Sequence, residues 1–167
     1  MHKTIKKFFP FPELINDVAA RFVGAGVLFM SLCSIILITA DNNIMYFTLG
    51  SLCYGFFARV CFGATISPLA LIVTKIIVPK THFNEKYVPG PPKRFAQLIG
   101  FIISFLTIAS ILLGNPYIAV LLLAVLSIFA FLESALGYCF ACKVFKLLMK
   151  AGLIPESACQ LCASYDF

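Results

Sequence analysis

The sequence predicts an all-α integral membrane protein with four transmembrane helices paired as two hairpins, each followed by a short interfacial amphipathic helix. Three observations carry that expectation. Of 167 residues, 61% are hydrophobic and only 12% are charged, and the mean hydropathy is +0.99, so there is too little polar surface to cover a water-soluble globule. Four stretches each approach the roughly 20 apolar residues a helix needs to cross a hydrocarbon core of about 30 Å. The lysines and arginines collect between alternate stretches, as they do in loops on one face of a membrane. No length remains for a separate soluble domain, so residues 1–167 read as a single transmembrane domain.

Residues 1–9 are basic, but Phe8-Phe9-Pro10-Phe11-Pro12-Glu13 interrupts them and no small-residue cleavage site follows, so the segment is expected to stay in the mature protein. The first span is placed at 17–40, with Asn16 as its N-cap. Asp41-Asn42-Asn43 is the polar turn into a second span at 44–63, which carries Arg59 near its end. Residues 67–78 begin at Ser67-Pro68, hold Lys75 and are closed by Pro79. They read as an interfacial helix from which Lys75 snorkels to water, with a re-entrant segment as the alternative. Lys80 to Arg94 reads as a polar loop, because Pro89-Gly90-Pro91-Pro92 does not suit a helix interior. The third span is placed at 95–114 and the fourth at 116–137, where Pro116 suits a helix start because its missing N–H would be unpaired there anyway. Lys143, Lys146 and Lys150 mark a second interfacial helix over 139–152, and 153–167 is a short tail.

The loop charges predict orientation. Lys3, Lys6, Lys7 and Arg21, the stretch from Lys75 to Arg94, and Lys143 to Lys150 fall on one side, whereas the two opposite turns hold no Lys or Arg. The positive-inside rule then puts both termini in the cytoplasm and the chain in the inner (cytoplasmic) membrane as a multi-pass protein. The net charge of +6 is read as topology signals and contacts to anionic membrane lipid, not as a nucleic-acid surface, because the basic residues flank apolar spans.

An internal repeat is visible at low contrast. Arg21-Phe22 is matched by Arg94-Phe95, and Phe57-Ala58-Arg59 with Gly63 is matched at an offset of 74 by Phe131-Leu132-Glu133 with Gly137. Two complete hairpins in one orientation would be related by an axis along the membrane normal; chance similarity between apolar segments is the alternative.

Arg59 and Glu133 are the charges inside spans. Each falls roughly 23–26 Å from the outer turn at 1.5 Å per residue, and an ionised side chain at that depth needs a partner. An intramembrane Arg59–Glu133 ion pair is therefore expected, either as a clasp between hairpins or as the proton or substrate site of a small transporter. Asp17 and Arg21, four residues apart, suit an ordinary helix-surface pair.

Cys139-Phe140-Ala141-Cys142 and Cys159-Gln160-Leu161-Cys162 form two Cys-x-x-Cys units with 16 residues between them, on the side expected to face the reducing cytoplasm, where static disulfides are disfavoured. Two chemistries fit. Cys139, Cys142, Cys159 and Cys162 act as exchanging dithiols with no cofactor, or they hold one zinc or iron–sulfur centre in a structural or scaffold protein. Position favours exchange, since Cys139 would start a helix near Lys143, and both features lower a thiol pKa. The second pair would then act as resolving pair. Cys33, Cys53 and Cys61 read as small apolar residues within spans, His2 and His82 lack companions at ligand spacing, and Gly24 and Gly26 suit close helix packing. No nucleotide-binding loop, serine-hydrolase elbow or paired-carboxylate set is present, so a standard hydrolytic enzyme is not expected.

Asn16-Asp17 with Arg21, Arg59 followed by Ser67-Pro68, the run Pro91-Pro92-Lys93-Arg94-Phe95-Ala96-Gln97, and Gly137-Tyr138-Cys139-Phe140-Ala141-Cys142 together cover most of the chain. On these residues it resembles the bacterial membrane protein family catalogued as domain of unknown function 4395. Glu133 departs from the small polar residue expected there. The resemblance implies a multi-span protein and, as partner, a soluble thioredoxin-like or sulfurtransferase protein; it implies no established activity.

Overall fold

A computed structural model describes residues 14–80 and 87–154. The short strand β1 (Leu14–Asn16) leads into helix α1 (Asp17–Thr39). Asn16 caps α1 as expected, its side-chain oxygen accepting from the Val18 N–H at 2.9 Å and the Ala19 N–H at 3.4 Å, and the carboxylate of Asp17 sits at the positive end of the helix dipole. Asp41, at φ 50°, turns the chain, with the Asn42 N–H on the Leu37 carbonyl at 3.0 Å. Helix α2 (Ile44–Phe62) follows and ends at Gly63, also at positive φ.

Residues 63–80 differ from expectation in detail. A 3-10 turn (Gly63–Thr65) precedes α3 (Pro68–Ile72), a π-helical turn (Val73–Ile77) and α4 (Val78–Lys80). Helical backbone thus continues through Pro79 and does not close before it. Pro79 has no N–H for the usual partner four residues back, and the wider register, with the Val78 N–H on the Val73 carbonyl, accommodates it.

The larger correction is at the next span. Strand β2 (Tyr87–Pro89) pairs antiparallel with β1, placing Ile15 opposite Val88, although the sequence reading held no strands. Helix α5 (Gly90–Leu112) starts five residues before the expected 95. Pro91 and Pro92 occupy its first turn, where a missing N–H breaks no intrahelical bond, so Lys93 and Arg94 are helical. Helices α6 (Pro116–Leu136) and α7 (Phe140–Lys150) fall close to the expected 116–137 and 139–152.

Four helices are long and apolar enough to cross a membrane, the second lying within the helical run Ile44–Lys80. They suit a multi-pass membrane protein. They pack as a ring in which α1 contacts α6 and α2, and α5 contacts α2 and α6. Its core is apolar around Leu49, Leu52 and Leu123, with Ser31, Ser34, Ser104 and Thr107 fully buried among such residues, whereas Phe47, Leu113 and Tyr117 are at least three-quarters exposed. The Ser31 and Ser127 hydroxyls meet across α1 and α6 at 2.8 Å, and Ser34 donates to Thr48 across α1 and α2 at 3.0 Å. Small residues and hydroxyl contacts of this kind hold helices together in lipid, where hydrophobicity alone gives no net drive.

The halves share a register. β1 with α1 and β2 with α5 have equal lengths at an offset of 73 residues. Ser31 and Ser34 of α1 correspond at that offset to Ser104 and Thr107 of α5. Gly63 and Gly137 both end a helix near φ 65°.

Candidate functional site

Side-chain contacts join the starts of α1 and α5 to the ends of α2 and α6. Asp17, Lys93, Arg59 and Glu133 gather there. Lys93 Nζ donates to Glu133 Oε1 at 2.8 Å and lies 3.3 Å from Asp17 Oδ1. The opposite oxygen of Asp17 accepts from Arg21 Nε at 3.2 Å, which is the expected helix-surface pair. Arg94, next to Lys93, instead donates through Nε to the Val60 carbonyl at 2.9 Å.

The expected Arg59–Glu133 pair is replaced. Glu133 is joined to Lys93, and Arg59 donates through Nε to Gln97 Oε1 at 2.7 Å and through Nη1 to Ser67 Oγ at 3.2 Å, with its guanidinium 4.7 Å from the Phe56 ring centroid. The cause is the earlier start of α5, which carries a second cation, Lys93, into the interior. Sequence reasoning left Lys93 in a polar loop. Two signals marked it: Pro91-Pro92 as a helix-opening pair, and the spacing of Lys93, Gln97, Gly100, Ser104 and Thr107, which puts them on one helix face.

The cysteines sit beside this cluster. Gly137, in a left-handed conformation at φ 65°, ends α6, its N–H bonding to the Glu133 carbonyl at 3.1 Å. The Arg21 guanidinium packs directly over it, in space a side chain would need. This sharp exit brings Cys139 to the N-cap of α7, with Phe140 stacked on Phe129 at 5.2 Å between centroids. Cys139 is half-buried and Cys142 fully buried. A cavity of about 130 Å³ is lined by Gly24, Gln97, Glu133, Cys139 and Phe140.

The two thiols act on each other. Contact with the Cys142 thiol lowers the Cys139 pKa, assisted by Lys93 and opposed by burial and by Glu133. The same contact raises Cys142, together with burial. The cation acting on both thiols is thus Lys93, not the expected Lys143, whose ammonium lies 4.4 Å from the Tyr138 ring centroid. Cys159 and Cys162 lie outside the described residues. Among the described residues no three or more His, Cys, Asp or Glu side chains converge as a metal-ligand group. Cys33, Cys53 and Cys61 are half-buried free thiols within the long helices, and Gly24 and Gly26 lie against α6 and Leu69 respectively.

Residues 15–150 match the family model described as Domain of unknown function (DUF4395). The chain belongs to this family. The match runs from β1 to the end of α7 and so takes in the whole charge cluster and Cys139-x-x-Cys142. No curated protein and no solved structure matches the chain.

Proposed function

We propose that this family member is a membrane-embedded dithiol that exchanges electrons with a soluble disulfide-bearing protein through Cys139 and Cys142. The observation that carries the reading is the asymmetry of the pair. Cys139 stands at the N-cap position of a helix, borders a cavity and is shifted toward its thiolate, whereas Cys142 is fully buried beside it and shifted toward its thiol. Thiol exchange calls for that division between an attacking and a resolving sulfur.

In the first step the Cys139 thiolate attacks one sulfur of the partner's disulfide. A Cys139–partner bond forms, and the partner's other sulfur leaves as thiolate. Cys142 then attacks the Cys139 sulfur, closes the Cys139–Cys142 disulfide and releases the partner's second sulfur. The chain loses two electrons, the partner gains them, and the two protons of the dithiol end on the partner's thiols. The reverse sequence restores the dithiol. Cys159 and Cys162 are a second pair that would pass the disulfide onward.

The arrangement is of two hairpins related by a pseudo-two-fold axis, in the inner membrane with both termini cytoplasmic, and with 67–78 and 139–152 lying in the interface. The exposed apolar exterior supports the membrane setting, the shared 73-residue register supports the repeat, and the Lys and Arg distribution supports the orientation. Trapping tests the chemistry. Cys142→Ser should accumulate a mixed disulfide between Cys139 and a soluble protein, released by reductant, and Cys139→Ser should not. Equal trapping by both variants would count against the assignment of roles.

A further inference from the structure

A second cavity, of about 200 Å³, lies between the start of α1, the end of α2, the helical segment 68–80 and the start of α5. Its polar lining comes from Asn16, Arg59, Thr74, Lys93 and Gln97, and the rest is largely small and apolar. We propose that this cavity binds a small oxyanion, with the Arg59 guanidinium as its principal contact.

Arg59 is only 5% exposed, and both its hydrogen bonds go to neutral oxygens, those of Gln97 and Ser67. No carboxylate lies within ion-pair distance of it among the described residues; Glu133 is held by Lys93, and Asp17 by Lys93 and Arg21. A guanidinium enclosed at the end of a membrane bundle without a counter-charge in contact is expensive, and such a residue marks a binding site by default. Its Nη2 makes no described hydrogen bond, so the fork retains unused donors.

The rest of the polar lining also offers donors. The Gln97 oxygen is already taken by Arg59, and the Asn16 oxygen by the first N–H groups of α1, leaving their amide nitrogens. The Thr74 hydroxyl is the exception, since it donates its proton to the Ala70 carbonyl at 2.8 Å and leaves only lone pairs, but it is outnumbered by the donors of Arg59, Gln97, Asn16 and Lys93. A ligand here must therefore be chiefly an acceptor, and the planar guanidinium selects two oxygens on one atom over a point anion. At about 30 Å³ per water the cavity of about 200 Å³ equals roughly seven solvent molecules, which admits a tetrahedral oxyanion or a short carboxylate and is small for a nucleotide. The same oxyanion chemistry is available from a free ion or from a lipid headgroup phosphate.

The test uses the full chain in nonionic detergent, titrated calorimetrically at constant ionic strength with sodium sulfate, sodium phosphate, sodium formate and a short-chain phosphatidylglycerol. Saturable binding of at least one probe is expected. A response to the inorganic or formate salts identifies a free ion, and a response confined to phosphatidylglycerol identifies a headgroup. Gln97→Glu places a carboxylate at the Gln97 position, 2.7 Å from Arg59 Nε, with almost no change of shape. It should weaken binding at least tenfold while the protein's melting temperature is unchanged or raised. Arg59→Lys, which keeps charge and loses the fork, should also weaken it. No saturable binding of any probe up to millimolar concentration, or Gln97→Glu binding within twofold of the parent, overturns the proposal.

Discussion

Lys93 connects the two carboxylates and the two thiols, and substitution there should be felt in stability and in chemistry. Lys93→Met leaves Glu133 and Asp17 facing each other without a shared cation. Breaking a buried pair of this kind costs about 3–5 kcal/mol, measurable as a lowered unfolding midpoint in mild detergent, and Lys93→Met/Glu133→Gln should recover part of the loss. The thiols report the same residue independently. Because the Cys139 pKa is lowered, its thiolate persists to lower pH than that of an ordinary cysteine, near 8.5. The pH midpoint of Cys139 alkylation should therefore fall below that value, and Lys93→Met should raise it; Cys142, shifted the other way and buried, should label only on unfolding. An unmoved Cys139 midpoint in Lys93→Met would remove Lys93 from the site. At this scale the sequence exposed Arg59, Glu133, Cys139 and Cys142 as unusual for a membrane-embedded chain. It did not pair them, because pairing depends on where α5 begins, and two prolines that usually announce a loop here open a helix.

The helix boundaries were legible where local chemistry sets them. Asn16 as a cap, Pro116 as a first residue and Gly137 as a terminator are each decided by backbone groups within a turn of the residue itself. β1 and β2 were not legible, since three-residue strands owe their existence to pairing across some 73 positions and not to their own composition. Two predictions belong to helix contacts. Gly100 faces the Phe56 ring so closely that a Cβ would overlap it, so Gly100→Leu should separate α2 from α5 and lower thermal stability in detergent, while Gly50→Leu, where a Cβ meets nothing within 4 Å, should be tolerated. A double-mutant cycle on Ser31→Ala and Ser127→Ala should give a coupling of roughly 0.6 kcal/mol, the typical worth of a hydroxyl contact between membrane helices. A coupling of zero would mean that the 2.8 Å contact contributes nothing to holding α1 on α6.

For the whole molecule, composition and hydropathy foretold four long apolar helices with little outside them, because the demand of lipid on a chain is written in every residue. The site was less visible, being built from four helix ends that meet only after the ring closes. The first turn of α7, where the Cys142 N–H bonds to the Cys139 carbonyl at 3.1 Å, sets the half-buried Cys139 against the fully buried Cys142, and the proposed exchange rests on the pair cycling between dithiol and disulfide. The most direct measurement is differential alkylation of protein from acid-quenched cells, denatured so that the buried Cys142 is accessible, before and after reduction, with mass spectrometry locating the label on each cysteine. Cys139 and Cys142 should be protected together in a fraction of the molecules and become labelled together once reductant is added. Full labelling of both residues without reductant, unchanged after an oxidant challenge, would contradict it.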